Sequence, residues 1–253
     1  MGLRLFLVSG SILAAAASCL VACSTGSTPG PAPSPRPTGS PVPAAADRPA
    51  VNRALGLGEV RNPEPFTLDQ RLLDAASRND RPTIERALEM GAKIHAKDDL
   101  GRSTLFLAVM DAKSLDLVRW LHEKGVAVDG ADVGGRTPLS CAADDGLLDI
   151  VRYLVEQGAK VDAPDVQKRT PLMHAAGADH PDVIAYLADH GADVNTRDQF
   201  GDTPLIAACA KGNAASATLL IQRGVDTSLQ DQEGRTAKER SAPEAEPCLR
   251  LPK

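Results

Sequence analysis

The chain has no surplus of charge of either sign. Twenty-eight Lys and Arg face 33 Asp and Glu over 253 residues, for a net charge of −5 at pH 7. The signs are interspersed, and without a basic stripe nucleic acid is not expected as a partner. Aromatic residues are only 3% of the chain, with one Trp and two Tyr. Cysteine is limited to Cys19, Cys23, Cys141, Cys209 and Cys248, too few for a disulfide-dense scaffold. The apolar stretch Leu5–Ala17 is too short for an ordinary bilayer span.

What the chain does have is a period. Asp98, Asp132, Asp165, Asp198 and Asp231 recur every 33 residues, with one step of 34. Each is followed by Gly101, Gly135, Lys168, Gly201 or Gly234, and then by Ser103, Thr137, Thr170, Thr203 or Thr236. A fixed period of this length marks a repeat architecture, which presents an extended surface rather than a catalytic pocket. At a bend, Asp can accept a hydrogen bond from the backbone two residues on, so its recurrence needs no ligand.

Each unit has its own grammar. Gly135-Arg-Thr-Pro-Leu139, Lys168-Arg-Thr-Pro-Leu172 and Gly201-Asp-Thr-Pro-Leu205 predict helix starts, with Thr as N-cap and Pro at the first helical position. Small pairs follow (Ala142-Ala143, Ala175-Ala176, Ala208-Cys209), which let a short helix approach its neighbours closely. Breaks at Gly146, Asp179-His180-Pro181 and Gly212-Asn213 precede a second helix carrying the large apolar residues, as in Ile150–Val155 and Val183–Leu187. Gly125, Gly158, Gly191 and Gly224 end it in the left-handed C-cap slot. The polar stretch after it, such as Ala192–Asp198, reads as an extended hairpin.

Hairpin, helix, turn and helix in 33 residues, with Thr-Pro-Leu and Gly-Ala-Asp-Val-Asn signposts, resembles the ankyrin repeat from about Thr67 to Thr236. The resemblance implies an all-α repeat solenoid of helix-turn-helix units with β-hairpin loops. Five to six units are expected: 67–100 without its hairpin, then 101–134, 135–167, 168–200 and 201–233, and a truncated 234–253. The family's His after Thr-Pro-Leu is missing, its slot holding Phe106, Ser140, Met173 and Ile206. His174 stands one position later, where the family usually has Leu, and reads as a hydrogen-bonded core histidine. An extra residue near Lys113–Ser114 accounts for the 34-residue step. Trp120, Tyr153 and Tyr186 share one second-helix position, preceded by Arg86 and followed by Leu219. They are expected to form an inter-repeat ladder on the outer side with polar tips in water; a binding stripe is the other reading.

The first 66 residues differ in kind. Arg4, the apolar Leu5–Ala17 and then Leu20-Val21-Ala22-Cys23 resemble a bacterial lipoprotein signal peptide, residues 1–22, with Cys23 as the lipidated residue. Ala16-Ala-Ser-Cys19 is a weaker alternative, and an ordinary signal peptide or uncleaved anchor is the plain one. Residues 23–66, rich in Pro, Ala and Gly, are expected to be a disordered tether with polyproline II bias. Fully extended, the tether would reach on the order of 120 Å. An SH3-type ligand is the competing reading of this segment. By the same resemblance, Ser24 rather than Asp after Cys23 favours the periplasmic face of the outer membrane in a Gram-negative envelope. In a single-membrane bacterium the anchor would hold the chain outside the cytoplasmic membrane.

No catalytic constellation emerges. The five His are His95, His122, His174, His180 and His190. His180 falls in a helix–helix turn and His190 beside a helix end, so with His174 and Asp179 they are not expected to converge on an ion. No enzyme activity, cofactor or metal is predicted. Cys141 and Cys209 lie two units apart, too far for a disulfide. Both read as buried small hydrophobes, with a Cys209–Cys248 bond left open.

Function then rests on surface. In ankyrin-like arrays, by resemblance, partners dock on hairpin tips and the exposed ends of first helices. The tips here place Leu100, Val133, Val166, Gln167 and Phe200 on that face; the helix ends place Met110, Asp144, Asp145 and Lys211. Asp144-Asp145 reads more readily as a solvated rim than as a contact for a basic partner. The expectation is a monomeric, membrane-tethered module holding a protein partner, in its narrower form an inhibitor or immunity protein against a periplasm-acting toxin or lipase. The alternative is an accessory or scaffold for a periplasmic enzyme, such as one of oxidative-stress defence.

Overall fold

A computed structural model describes residues 67–243 and 245–251. The expected leader 1–22, the expected tether 23–66 and the expected lipidation site Cys23 lie outside the described residues. Eleven helices and no strands are found among the described residues. Five pairs of helices follow one another: α1 (Leu68–Ser77) with α2 (Arg81–Glu89), α3 (Thr104–Met110) with α4 (Leu115–Glu123), α5 (Pro138–Asp144) with α6 (Leu148–Glu156), α7 (Pro171–Ala178) with α8 (Pro181–Asp189), and α9 (Pro204–Lys211) with α10 (Ala214–Gln222). A short α11 (Glu246–Leu249) packs on α10.

The starts of the helices follow local chemistry. Thr137, Thr170 and Thr203 accept from the N–H of Ser140, Met173 and Ile206, and Pro138, Pro171 and Pro204 open α5, α7 and α9. Ser140, in the slot where the family places His, closes a capping box by accepting at 3.0 Å from the N–H of Thr137. Second helices end where Gly125, Gly158, Gly191 and Gly224 turn left-handed. The extra residue of the longer unit is absorbed at Lys113, φ 48°, just before Ser114 caps α4.

First helices stack through small residues. Ala142, Ala143, Ala175, Ala176, Ala208 and Cys209 are essentially inaccessible, and Leu139, Leu172 and Leu205 fill the space beside them. Second helices add Val118, Leu121, Val151, Leu154, Ile184, Leu187 and Leu220 to the same continuous core. Each pair contacts the pairs before and after it, so the core is a stack rather than a centre.

The aromatic column is built differently from a plain ring stack. Arg81 lies 4.7 Å from the Trp120 ring centroid, Arg119 5.4 Å from Tyr153 and Arg152 5.6 Å from Tyr186. An arginine from the preceding unit thus bridges to each ring. His122 meets the Tyr153 hydroxyl at 2.9 Å, and His190 stacks on Tyr186.

The loops bend as hairpins without becoming strands; Lys97–Ser103 and Gln230–Thr236 form isolated antiparallel bridges. Cys209 departs from its expected role as a free buried thiol. It is bonded to Cys248, with both residues fully buried. The geometry that allows this is a tail that folds back: Ala242 N–H donates to the Cys209 carbonyl at 2.9 Å, and Ala245, Cys248 and Leu251 are buried against the last helix pair.

Candidate functional site

The recurring aspartates build the face. Oδ1 of Asp98, Asp165, Asp198 and Asp231 accepts two backbone N–H groups, two and four residues on, at 2.8–3.0 Å. Asp132 accepts the second of these from Arg136. The bend is therefore closed by its own side chain, as a local Asx turn requires. Neighbouring tips are then tied across units. The N–H groups of Val133, Val166, Gln199 and Gln232 donate to the carbonyls of Leu100, Gly134, Gln167 and Phe200 at 2.8–3.0 Å. One hydrogen bond per unit holds the tips in a row.

On that row Leu100, Val133, Val166 and Phe200 are 50, 68, 68 and 57% exposed. They are four of the six large exposed apolar side chains among the described residues, the others being Met90 and Leu249. The remaining predicted residues scatter in kind. Gln167 is half-buried and gives its carbonyl to the tip ladder. Half-buried Met110 has its sulfur 4.0 Å from an Arg102 nitrogen. Asp144 receives Arg136 at 3.0 Å, Asp145 receives Lys113 at 3.2 Å, and exposed Lys211 donates to the Gly177 carbonyl at 2.8 Å.

Asp144 and Lys211 are brought together at a cleft of about 340 Å³. Its other walls are Arg136, Arg169 and Asp202 at the hairpin bases, which sequence reasoning passed over, with Met173 and His174 on α7, Asp198, Gly177 and Ala207. The missed signal was there, because Arg102, Arg136, Arg169, Asp202 and Arg235 each directly follow the left-handed position of the bend. A second cleft of about 300 Å³ lies beside it, sharing Asp202 and walled by Phe200, Arg235 and Arg240.

Within the first cleft Arg136 breaks rank. In Arg102, Arg169 and Arg235 the Nε donates back to the bend aspartate at 2.6, 2.9 and 2.9 Å. Arg136 reaches across to Asp144 instead, leaving its Nε buried without a partner. A buried donor left so costs about 1–3 kcal/mol. His174 sits beneath, 3.2 Å from Asp165 Oδ2 and 3.9 Å from Asp144. It is the hydrogen-bonded core histidine expected, and burial, followed by the Arg169 guanidinium, holds its imidazole below the ordinary range. Burial pushes the Asp165 carboxyl up, but the Arg169 backbone and side chain and the Gln167 N–H outweigh it and hold it low. His180 Nε2–H donates to the Asp144 carbonyl at 3.1 Å, and its ring lies against Gly146. The free thiol of Cys141 is buried and pushed up to about 11, mainly by that burial, which leaves it protonated at neutral pH.

Among the described residues no group of three or more His, Cys, Asp or Glu is placed to hold a metal ion, and none of their helices is long and apolar enough to cross a membrane. The family profile described as ankyrin repeats (3 copies) matches residues 72–165 and 162–231. No curated protein matches the chain. Proteins of this kind are generally protein-binding modules rather than enzymes. With five helix pairs in register, bends closed by aspartate and the profile spanning more than half its length, the chain belongs to the ankyrin-repeat family.

Proposed function

We propose that this protein is a membrane-tethered binding module of the bacterial envelope, which holds a protein partner on its row of hairpin tips and blocks that partner's activity, as an inhibitor or immunity protein does. The observation that carries the binding face is the run of exposed apolar side chains, Leu100, Val133, Val166 and Phe200, fixed in place by inter-unit hydrogen bonds. Exposed apolar side chains grouped on one face and rimmed by polar residues mark interaction sites.

The compartment rests on two independent features. Leu20-Val21-Ala22-Cys23 reads as a site of lipidation, which would anchor the chain through Cys23. The Cys209–Cys248 bond suits an oxidising compartment and would be unusual in a reducing cytosol. In a Gram-negative cell Ser24 favours the periplasmic face of the outer membrane.

The test is crosslinking and capture from envelope fractions with the full chain and a triple variant, Leu100→Asp, Val166→Asp and Phe200→Asp. The expected result is loss of one captured protein with the melting temperature unchanged, and unchanged capture would sink the assigned face. Deletion that sensitises cells to a neighbour's toxin or lipase supports the inhibitory role. Deletion that lowers a periplasmic enzyme's activity instead points to an accessory role.

A further inference from the structure

The protein-binding reading leaves one property of the partner undetermined, its charge at the centre of the contact. We infer that the cleft between the third, fourth and fifth units receives a side-chain carboxylate of the bound protein. The inference rests on the binding function proposed above and names the chemistry of its partner.

The cleft lies where two columns carry small residues. Gly177 stands 33 residues after Asp144 in the column of first-helix ends, and Ala207 stands 33 after His174 in the column beneath. A Cβ built on Gly177 would lie 3.3 Å from the Lys211 ammonium. The small residues at these two places leave room for a cleft of about 340 Å³, beside the neighbouring one of about 300 Å³.

What remains unsatisfied around the opening is donors. Arg136 Nε–H is buried and has no acceptor. Lys211 uses one of its three N–H groups on the Gly177 carbonyl. Arg169 spends its Nε and one terminal nitrogen on Asp165, leaving its other N–H groups for a ligand. The carboxylates of the walls are already engaged. Asp144 takes Arg136, Asp198 takes the N–H groups of Phe200 and Asp202, and Asp202 takes Arg240 at 3.2 and 3.3 Å. An incoming acceptor therefore meets the spare N–H groups of Lys211 and Arg169 beside an Arg136 Nε–H that has no acceptor of its own. A carboxylate also gains the charge-assisted hydrogen bonds that a carbonyl does not. Phe200, in the adjoining cleft that shares Asp202, gives an apolar neighbour of the acidic residue somewhere to rest.

The probes are three blocked pentapeptides, N-acetyl-Ala-Leu-X-Leu-Ala-amide with X as Glu, Gln or Lys, titrated against the intact repeat chain and followed by the Arg Nε–H signals in NMR. The Glu peptide is expected to shift the Arg136 signal at millimolar concentration and the Gln peptide to bind at least fivefold more weakly. Lys211→Gln, on an exposed side chain, should weaken the Glu peptide several-fold while leaving the rest of the spectrum in place. Arg136→Gln, followed through the Arg169 Nε–H signal, should weaken the Glu peptide at least fivefold. Equal binding of Glu and Gln peptides, tighter binding of the Lys peptide, or no shift at all overturns the inference. A partner captured through the apolar tips would still stand in each of those cases, so the two readings fail separately.

Discussion

Lys168 stands at φ 61° in the bend position that Gly101, Gly135, Gly201 and Gly234 fill elsewhere. A side chain there carries a steric cost of about 1–2 kcal/mol, part of which glycine gives back as chain entropy. Lys168→Gly is thus expected to stabilise the fold by about 0.5–1 kcal/mol in urea unfolding. Gly135→Ala should do the reverse and cost more than about 1 kcal/mol, because a left-handed alanine is strained. Its Cβ would also stand 2.9 Å from the Val166 nitrogen. The role of the recurring aspartate was legible in sequence because the bond it makes is local, two to four residues along the chain. Arg136 was not, since its choice of Asp144 over Asp132 depends on how a bend sits against a helix eight residues away.

Titration belongs to the same scale. The His174 pKa is lowered in the folded chain, so its stabilising effect is complete above about 6.5 and fades as pH falls through the lowered value. The carboxyls of Asp98 and Asp165, held low, keep their contribution until pH drops below about 3.9 and lose it from there. Asp162 and Asp202, raised mainly by burial, work the other way and are relieved by protonation. Urea midpoints measured from pH 7.5 to 5.5 should therefore fall, and His174→Asn should remove that slope.

Among elements, the short α11 is where sequence reading was weakest. The repeat pattern fades after Thr236, so no neighbouring unit offered a register on which to place Cys248. Periodicity put Cys209 in a buried slot correctly but could not show that a folded-back tail brings a second sulfur to it. The bond closes a segment of sequence separation 39 and fixes Ala245 and Leu251 over the last helix pair. Removing such a bond costs about 2–4 kcal/mol. Cys248→Ser, or reduction of the native chain, should lower the melting temperature and speed hydrogen exchange in α9–α11 ahead of α1–α4. The aromatic ladder shows a related limit. Its column was visible as a 33-residue recurrence, whereas the arginines bridging from unit to unit lie outside it, Arg119 and Arg152 one position earlier and Arg81 five positions before Arg86.

At the scale of the whole array each unit rests only on its neighbours, so damage in the middle should divide it. Asp165 is the natural place to cut, because it closes a bend, pairs with Arg169 and meets His174 in one contact set. Asp165→Ala is expected to cost about 2 kcal/mol or more and to turn one unfolding transition into two, resolved by the fluorescence of Trp120 and by exchange in α9 and α10. The number of units and the helix order were readable from sequence because every unit repeats the same caps and breaks. The cleft was not, since it arises where Gly177 and Ala207 are small, in a pattern read for what recurs.

The ladder that ties Val133 to Leu100, Val166 to Gly134 and Gln199 to Gln167 also acts as a ruler. Packed helices lie about 8–10 Å apart, so the tips mark the same interval along the face. A strand advances about 3.3 Å per residue, which brings every third residue of an extended ligand to a new tip. A helix advances about 1.5 Å per residue and meets successive tips about every five to seven residues. The array thus suits a partner whose contacts repeat at that interval.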